Sequence, residues 1–320
     1  CGLVCGRGPV EGGRVGARAR GAAAAVACGD GATEDCRDRT GPGWGDAWGG
    51  GGTEPGQFIE PSSVELDSDG FVYVAGHEDR FQKFTRDGDL VAIYGMAGAG
   101  EGQFNHPHGL AVDRMRGDRI FIGDQENHRA QVFDPDGTFV RLFGDDGFQH
   151  IHDIGIDVAT GELFVGDYEA DTVRRFSATG ELLASYGGTG TEPGRFDGVW
   201  GISTDVDGAM YVADTFNRRL QKLDGDGNPL DAWTDFEGEA FRKPTGVFVD
   251  SVGRVYLCDS LANVVFVFST EGAPLERWDL ALITGDASEP EDIVVDAAGE
   301  HIYLGEVLGH RVLHLRAPPR

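Results

Sequence analysis

A repeat of 44 to 48 residues is the feature of this sequence that most constrains its fold. An Asp that closes a short apolar run returns at this spacing along the chain, at Asp67, Asp113, Asp157, Asp205, Asp250 and Asp296. A second marker, a short run that opens on Tyr or Phe, keeps the same register at Tyr73, Phe121, Phe164, Tyr211, Tyr256 and Tyr303. Two independent markers with one period indicate tandem copies of a single structural unit.

Each unit contains four short strands. Between Phe196 and Thr234, four apolar runs are each closed by turn residues: WGISTD, MYVAD, RLQKL and PLDAW. Runs of this length suit β-strands and are too short for helices. A period in this range with four strands per unit predicts the blades of a β-propeller, because one small sheet cannot bury both of its faces alone. The 51 glycines among 320 residues suit such a turn-rich, all-β chain.

The sixth unit lacks its last strand, and we predict that the beginning of the chain supplies it. After the run that ends at Leu315, the sequence offers no fourth strand. The other fourth strands close on an aromatic residue, and Ala47-Trp48 fits that pattern ahead of the first unit. We therefore predict an all-β, six-bladed propeller whose ring is closed by an N-terminal outer strand at Gly43 to Gly49, because a closed ring leaves few strand edges exposed.

Residues 1–43 differ from the rest of the chain, and we predict that they form an export leader and a flexible tether, with the propeller in residues 44–320. Arg14, Arg18 and Arg20 precede a short Ala-rich apolar run that ends before Cys28. This arrangement resembles a bacterial lipoprotein export signal, in which Cys28 would carry the lipid. We expect an exported protein, either a lipoprotein of the cell envelope or an extracellular protein. The alternative is a disordered leader rich in Ala and Gly.

The charge balance argues against nucleic acid as a partner. The formal net charge is −27, and residues 1–27 hold four Arg and one Glu, which leaves −30 for the rest. A surface of this sign repels phosphate groups, and no basic stripe with interleaved aromatic residues is present in the sequence. We expect a monomer that binds a protein, a peptide or a small molecule, with no nucleic acid and with membrane contact only through a lipidated Cys28.

Several short motifs together resemble the NHL-repeat family of six-bladed propellers. They are a Pro-Gly-x-Phe turn at residues 193–196, a Pro-x-Gly start of the first strand at residues 107–109, a Tyr-Val-Ala-Asp strand at residues 211–214 and an Asn-Arg-Arg-Leu-Gln run at residues 217–221. The resemblance covers roughly residues 44–316. It implies the propeller fold but no single activity, because this fold carries enzymes, sensors and RNA-binding proteins.

Histidines gather where the chain enters the second and third blades. His106 and His108 flank Pro107, and His150 and His152 flank Ile151, so that the second His of each pair begins the strand that lines the central channel. Imidazoles on separate rigid strands can converge on a divalent ion such as zinc. Calcium is the other expected ion, because the turn at residues 67–70 resembles the start of a calcium loop, although the later bidentate Glu of such a loop is absent. The predicted ligands are His108 and His152, with Glu291 or Asp153 as the third. The alternative is that these histidines cap loops and hydrogen-bond to water in the channel.

Further candidates lie on the same face of the predicted disc. Trp200 replaces a small or polar residue at the channel rim and could stack on a ligand, or pack against Phe196 instead. We place it in a ligand-binding set with three histidines: His106, His150 and His128. The Asp that ends most second strands and the Arg that begins several third strands recur from blade to blade, so we interpret them as structural.

The family resemblance also extends to an enzyme. NHL propellers include peptidyl-hydroxyglycine amidating lyases, which the resemblance implies would hold zinc through histidines just after the Pro of inner strands on alternate blades. His108 and His152 match this motif but lie on adjacent blades. A lyase would also need a base and a cation for a substrate carboxylate, for which Tyr168 and Arg129 are candidates by location.

Two functions follow from these observations. The first is an exported NHL-type propeller that binds a ligand or a protein through its His-rich face. The second is a metal-dependent enzyme on the same face, either a lyase of the amidating type or a lactonase, with its site at the central channel. Bound metal would distinguish the two.

Overall fold

An N-terminal strand closes the ring, which confirms the prediction from the sequence. The computed structural model describes residues 42–144 and 147–317. Strand β1 (Gly43–Gly49) runs antiparallel to the last strand of the chain and pairs Trp48 with Val312 and Gly43 with Arg316. The sixth blade is therefore built from both ends of the described chain, and the predicted leader and Cys28 lie outside the described residues.

The first three blades are four-stranded antiparallel meanders in which sequential strands are neighbours. Blade one consists of β2 (Pro61–Leu66), β3 (Val72–Gly76), β4 (Arg80–Phe84) and β5 (Leu90–Tyr94). Blade two consists of β6 (Pro107–Asp113), β7 (Arg119–Asp124), β8 (Arg129–Phe133) and β9 (Phe139–Phe143), with a 3₁₀ turn at Gln125–Asn127. Blade three consists of β10 (Ile151–Ile156), β11 (Leu163–Asp167), β12 (Thr172–Phe176) and β13 (Leu182–Gly187).

The second half of the ring repeats this plan and adds two short insertions. Blade four consists of β14 (Val199–Thr204), β15 (Met210–Asp214), β16 (Arg219–Leu223) and β17 (Pro229–Trp233), followed by a small hairpin of β18 (Asp235–Phe236) and β19 (Glu239–Ala240). Blade five consists of β20 (Pro244–Val249), β21 (Arg254–Asp259), β22 (Val264–Ser269) and β23 (Pro274–Asp279), followed by helix α1 (Leu280–Thr284). Blade six consists of β24 (Pro290–Val295), β25 (His301–Glu306), β26 (Arg311–Arg316) and β1.

The first strands of the six blades line the central axis. Strands β2, β6, β10, β14, β20 and β24 each contact the first strand of the neighbouring blade. Most of their residues are buried, and their starts all lie at one mouth of the channel. Within the described residues, no helix is long and apolar enough to cross a membrane.

The repeated Asp that marks the period shapes a turn. Oδ1 of Asp67 accepts hydrogen bonds from the backbone N–H groups of Asp69 and Phe71, at 3.1 and 2.8 Å. Oδ1 of Asp205 does the same in blade four for Asp207 and Ala209. A carboxylate that bonds its own backbone two and four residues on stabilises the reversal between the first two strands, which explains why this residue recurs.

The repeated Tyr joins one blade to the next. Tyr73, Tyr211 and Tyr303 are fully buried between blades. Their hydroxyl groups donate to a backbone carbonyl in the turn of the following blade, each at 3.3 Å, with Pro135, Thr270 and Arg86 as the acceptors. The last of these bonds runs from blade six to blade one. The seam closed by β1 is therefore packed like the other blade interfaces.

Candidate metal centre

Three buried side chains from three blades meet at the start of the inner strands. One potential metal-binding atom from each of His108, His152 and Glu291 lies within 4.8 Å of the other two. These residues occupy corresponding positions in β6, β10 and β24, just after the residue that opens each strand. The side chains are only 6 to 7% exposed. Two imidazoles and a carboxylate are a donor set that zinc uses in proteins.

The imidazole of His108 is held in one orientation. Its Nδ1 lies 2.7 Å from the backbone carbonyl oxygen of His152. Because a carbonyl oxygen can only accept a hydrogen bond, Nδ1 carries the proton and Nε2 is left with a free lone pair. The neighbouring Gly109 permits this approach, since its φ is 64° and an added Cβ would lie 2.8 Å from that same carbonyl. A fixed tautomer of this kind is typical of histidine ligands to metals.

His152 has a buried nitrogen without a partner. Among the described residues, nothing hydrogen-bonds to its Nδ1. Its ring packs against Trp200 with the ring centroids 4.2 Å apart, and against His108 at 3.9 Å. This nitrogen, beside two other potential donors, is not used by the protein atoms of the described residues.

Glu291 is positioned by a residue on a different blade. The indole Nε1 of Trp200 donates a hydrogen bond to Oε1 of Glu291 at 2.5 Å. The Nζ of Lys243 lies 4.2 Å from the centre of the Trp200 ring. The edge of the Trp200 ring thus orients the carboxylate of Glu291, and the face of the ring contacts the ammonium group of Lys243.

Burial controls the charges of the three side chains. Burial lowers the pKa of His108 to about 3 and holds the pKa of His152 well below its usual value, so both imidazoles are neutral at pH 7. Burial raises the pKa of Glu291 to about 7, while Lys243 and the Trp200 hydrogen bond oppose that rise. Neutral imidazoles are the form that binds a metal, and a bound cation would favour the ionised form of Glu291.

The structure does not bring Asp153 into this group. Its two carboxylate oxygens accept hydrogen bonds from the N–H groups of Ile154 and Ile202, both at 2.8 Å. Asp292 is used in the same way, by the N–H groups of Val64 and Ile293. Burial raises the pKa of Asp153 to about 7, and that of Asp292 well above its usual value. These two carboxylates link neighbouring inner strands.

Two of the predicted site residues lie directly around the cluster. Tyr168 packs with its ring centroid 5.3 Å from that of His152, and burial raises the pKa of its phenol. His150 lies 5.9 Å from Tyr168 between ring centroids, and its Nε2 is 3.3 Å from Oε1 of Glu126. Its buried Nδ1 has no partner among the described residues.

The other predicted histidines lie further out. The ring of His106 packs on that of His77, with 3.7 Å between centroids, and His77 in turn lies 5.9 Å from His108. His128 is exposed and its Nδ1 donates to the carbonyl oxygen of Gln149 at 2.7 Å. His106 is therefore linked to the cluster through His77, whereas His128 caps a loop.

Arg129 is engaged away from the cluster. Its Nε donates to Asp124 at 2.8 Å, and its two terminal nitrogens donate to the carbonyl oxygens of Ala99, Gly100 and Gln103. Arg219 makes the corresponding set of bonds in blade four. The arrangement fits the structural interpretation of these arginines, because four of the five N–H donors of Arg129 are used within the fold.

Lys243 is a cation beside the cluster, next to Trp200 and Glu291, and it was not among the residues predicted from the sequence. A signal was present, because Lys243 precedes the Pro that opens β20, just as His106 precedes the Pro that opens β6. The position before each inner strand lies at the mouth of the channel. Comparing that position across all six repeats would have identified Lys243 as the basic residue in a ring otherwise made of Glu60, His106, His150, Gly198 and Glu289.

Sequence comparison finds NHL-repeat proteins. The chain is 31% identical to the protein brain tumor of Drosophila melanogaster over 137 residues, which are 42% of this chain and 13% of that protein. It is 31% identical to NHL repeat-containing protein 3 of Mus musculus over 105 residues, 30% of each protein. It is also 30% identical to the peptidylglycine alpha-amidating monooxygenase of Rattus norvegicus over 190 residues, 54% of this chain and 19% of that protein. The matches thus span less than a third of these relatives, and no protein-family model matches the chain.

Solved structures with the same fold include bacterial lyases. A streptogramin B lyase superposes with a TM-score of 0.60 at 13% identity, covering 85% of this chain and 97% of the other. The virginiamycin B lyase of Staphylococcus aureus superposes with a TM-score of 0.56 at 15% identity, covering 79% of each chain. At these identities the likeness establishes the six-bladed propeller fold alone.

Proposed function

We propose that this protein is a metal-dependent lyase, with a divalent ion held by His108, His152 and Glu291. The observation that carries the proposal is the convergence of three buried donors, each from a separate blade, within 4.8 Å of one another. Side chains on three rigid strands need little reorganisation to bind an ion. The arrangement leaves at least one coordination position for a substrate, which is the pattern of catalytic zinc sites.

The donor atoms favour zinc over calcium. Calcium takes six to eight oxygen ligands, whereas imidazole nitrogens suit zinc and other transition metals. His108 offers Nε2, and His152 has a buried nitrogen that no protein atom satisfies. The hydrogen bonds from His108 to a backbone carbonyl and from Trp200 to Glu291 are the outer contacts that orient such ligands. When bound, the ion would act as a Lewis acid toward a substrate oxygen.

An elimination of the amidating type agrees best with the neighbouring groups. In that reaction, an N-acyl-α-hydroxyglycine gives the proton of its hydroxyl group to solvent water, its C–N bond breaks with the electron pair going to nitrogen, and nitrogen gains a proton from an acid that solvent then reprotonates. The products are a primary amide and glyoxylate. Burial raises the pKa of the Tyr168 phenol, which keeps it protonated and suits it to donate a proton to the leaving nitrogen. Partial similarity to an amidating monooxygenase supports this choice of reaction.

Metal analysis and turnover test this proposal together. Untagged protein loaded with zinc and then desalted should retain about one equivalent, since the site has three strong donors. It should also release glyoxylate from N-benzoyl-α-hydroxyglycine. The double variant His108→Ala, His152→Ala should lose both properties, whereas His128→Ala, on the same face, should lose neither. Metal-free wild-type protein, or full zinc binding by the double variant, would refute the assignment of these ligands.

A binding module is the second candidate. The similarity to NHL-repeat proteins favours it, because NHL propellers often act through protein partners. In that case the same face would bind a protein or peptide without turnover, and the wild-type protein would bind its partner equally well with and without chelator. Export, a lipid on Cys28 and a monomeric state belong to this proposal as well. Membrane fractionation of wild-type and Cys28→Ser protein would test the lipid anchor.

A further inference from the structure

The rim around the candidate metal centre is divided into an acidic half and an apolar half. The second residue of the loop between strands two and three is acidic in blades one to three and apolar in blades four to six: Glu78, Glu126, Glu169, Phe216, Leu261 and Leu308. The three apolar side chains are 55%, 52% and 54% exposed. Exposed large apolar side chains on consecutive blades beside a polar site are typical of ligand-binding surfaces.

A cation lies inside the apolar half. The carbonyl oxygen of Lys243 accepts a hydrogen bond from the N–H of Ser260, the neighbour of Leu261, at 3.0 Å. The carbonyl of the next residue, Pro244, accepts from Oγ1 of Thr215, the neighbour of Phe216, at 2.7 Å. These bonds fix Lys243 between the loops that carry the apolar side chains. No carboxylate of the described residues lies within ion-pair distance of its Nζ, so an anionic ligand group would be its first ion-pair partner.

An aromatic wall connects the apolar rim to the metal centre. Phe216 packs edge-on against Tyr168 with 5.9 Å between ring centroids, and Tyr168 packs edge-on against Trp200 at 5.5 Å. Trp200 in turn contacts His152 and Glu291. A ligand that lies along this wall extends from the exposed rim to the buried donors.

We propose that the substrate is an amphipathic carboxylate that binds in one orientation, with its carboxylate at Lys243 and a bulky apolar group over Phe216, Leu261 and Leu308. This inference rests on the proposed lyase, because it places the reacting carbon next to the metal ligands. A ligand turned toward blades two and three would put its carboxylate beside Glu126 and Glu169, which are both exposed and acidic. The repulsion between like charges selects against that orientation.

Binding of three small acyl-glycine probes tests the proposal without requiring turnover. N-benzoylglycine has both groups, N-acetylglycine lacks the large apolar group, and N-benzoylglycinamide lacks the charge. Calorimetry on the zinc-loaded full chain should show that each missing group weakens binding by about tenfold, a change expected from burying a phenyl ring or pairing a part-buried charge. Equal affinity for the acid and the amide would overturn the inference.

Variants separate the two halves of the subsite. Lys243→Met should abolish the preference for the acid over the amide and keep the preference for benzoyl over acetyl, whereas Lys243→Arg should keep both. Phe216→Ser should reduce only the benzoyl preference. Leu230→Ser, on the outer strand of blade four where this side chain is 56% exposed, is the matched control and should leave both preferences unchanged. A Lys243→Met protein that still prefers the acid would also refute the inference.

The same probes distinguish failure of this inference from failure of the lyase proposal. Selective binding of N-benzoylglycine without glyoxylate release from the hydroxylated analogue would support the subsite and refute the lyase. Glyoxylate release without any preference among the probes would support the lyase and refute the subsite.

Discussion

The indole nitrogen of Trp200 donates a 2.5 Å hydrogen bond to the carboxylate of Glu291, across the channel from blade four to blade six. The bond ties a predicted metal ligand to the wall that leads to the rim. It also explains why a buried carboxylate tolerates its position, because Lys243 and this N–H both oppose the rise in its pKa that burial causes. Trp200 is therefore the residue on which the geometry of the site depends most.

We predict that Trp200→Phe weakens zinc binding by about tenfold to a hundredfold, the usual effect of removing a hydrogen bond to a metal ligand. The ring that packs on His152 remains, so the loss reports the hydrogen bond to Glu291. Competition with a chromophoric chelator measures the affinity. Trp233→Phe, in the outer strand of the same blade, is the control, and unchanged affinity in Trp200→Phe would contradict the prediction.

The seam between blades six and one should depend on Trp48. Its ring packs against Tyr303 and Phe84, with centroids 5.8 and 6.0 Å away. Trp48→Ala should lower the free energy of unfolding by about 2–4 kcal/mol through the cavity it leaves. Trp48→Phe should cost about 1 kcal/mol or less, because the indole Nε1 is buried without a partner among the described residues. Urea denaturation measures both changes. A Phe variant as unstable as the Ala variant would mean that the indole nitrogen has a role.

His314 should make the stability of the seam depend on pH. It is buried beneath Trp48 and Tyr303, its Nε2 lies 2.8 Å from Nδ1 of His301, and burial together with His301 and Arg316 lowers its pKa to about 4. Below pH 6.5 the unfolded chain binds a proton at this residue that the folded chain does not. Stability is therefore lost as the pH falls from about 6.5 to about 4, by up to about 3 kcal/mol.

His314→Gln removes this titration and tests its contribution. The difference in unfolding free energy between the variant and the wild type should change steadily between pH 6.5 and pH 4 in favour of the variant. Parallel curves for wild type and His314→Gln would contradict the prediction.

The close contact between β20 and β24 should tolerate no side chain at Gly246. An added Cβ would lie 2.6 Å from the Cα of Asp292 and 2.7 Å from the carbonyl oxygen of Glu291. We expect Gly246→Ala to destabilise the protein by about 1–3 kcal/mol, as overpacking does, and to weaken zinc binding because Glu291 is displaced. Gly225→Ala, whose Cβ would approach the nearest atom only at 3.4 Å, is the control. Thermal unfolding and zinc titration of both variants check the two effects.

The sequence predicted the ring but only part of the site. The period, the turn-forming Asp67 and the aromatic end of β1 are local features, so the number of blades and the closing strand could be inferred from one sequence. The hairpin β18–β19 and helix α1 were not predicted, because both are short insertions without a repeating partner. For α1, the signal lay in Asp279, whose side chain accepts from the N–H of Leu282 at the start of the helix.

The site depends on distances across the channel, which the order of residues does not provide. His108 and His152 lie on adjacent blades and Glu291 lies on blade six, yet the channel is narrow enough for all three to meet. Asp153 follows His152 directly, but its carboxylate is used by the N–H of Ile202 on the next strand. Asp153 stays outside the site because its side chain is directed toward the next inner strand, and the spacing of residues in the sequence does not reveal that direction. Whether the three residues bind a metal stays a prediction.

The register of β1 against β26 determines how the ring would respond to mechanical force. Gly43 faces Arg316 at one end of this ladder, and Gly49 faces Arg311 at the other. A pulling force applied at Gly43 and Arg316 would load one hydrogen-bonded pair at a time, as in unzipping, instead of shearing all pairs together. Stretched between these two points, the propeller would yield first at its seam and at low force, while the five blades that are each continuous in the chain stay intact.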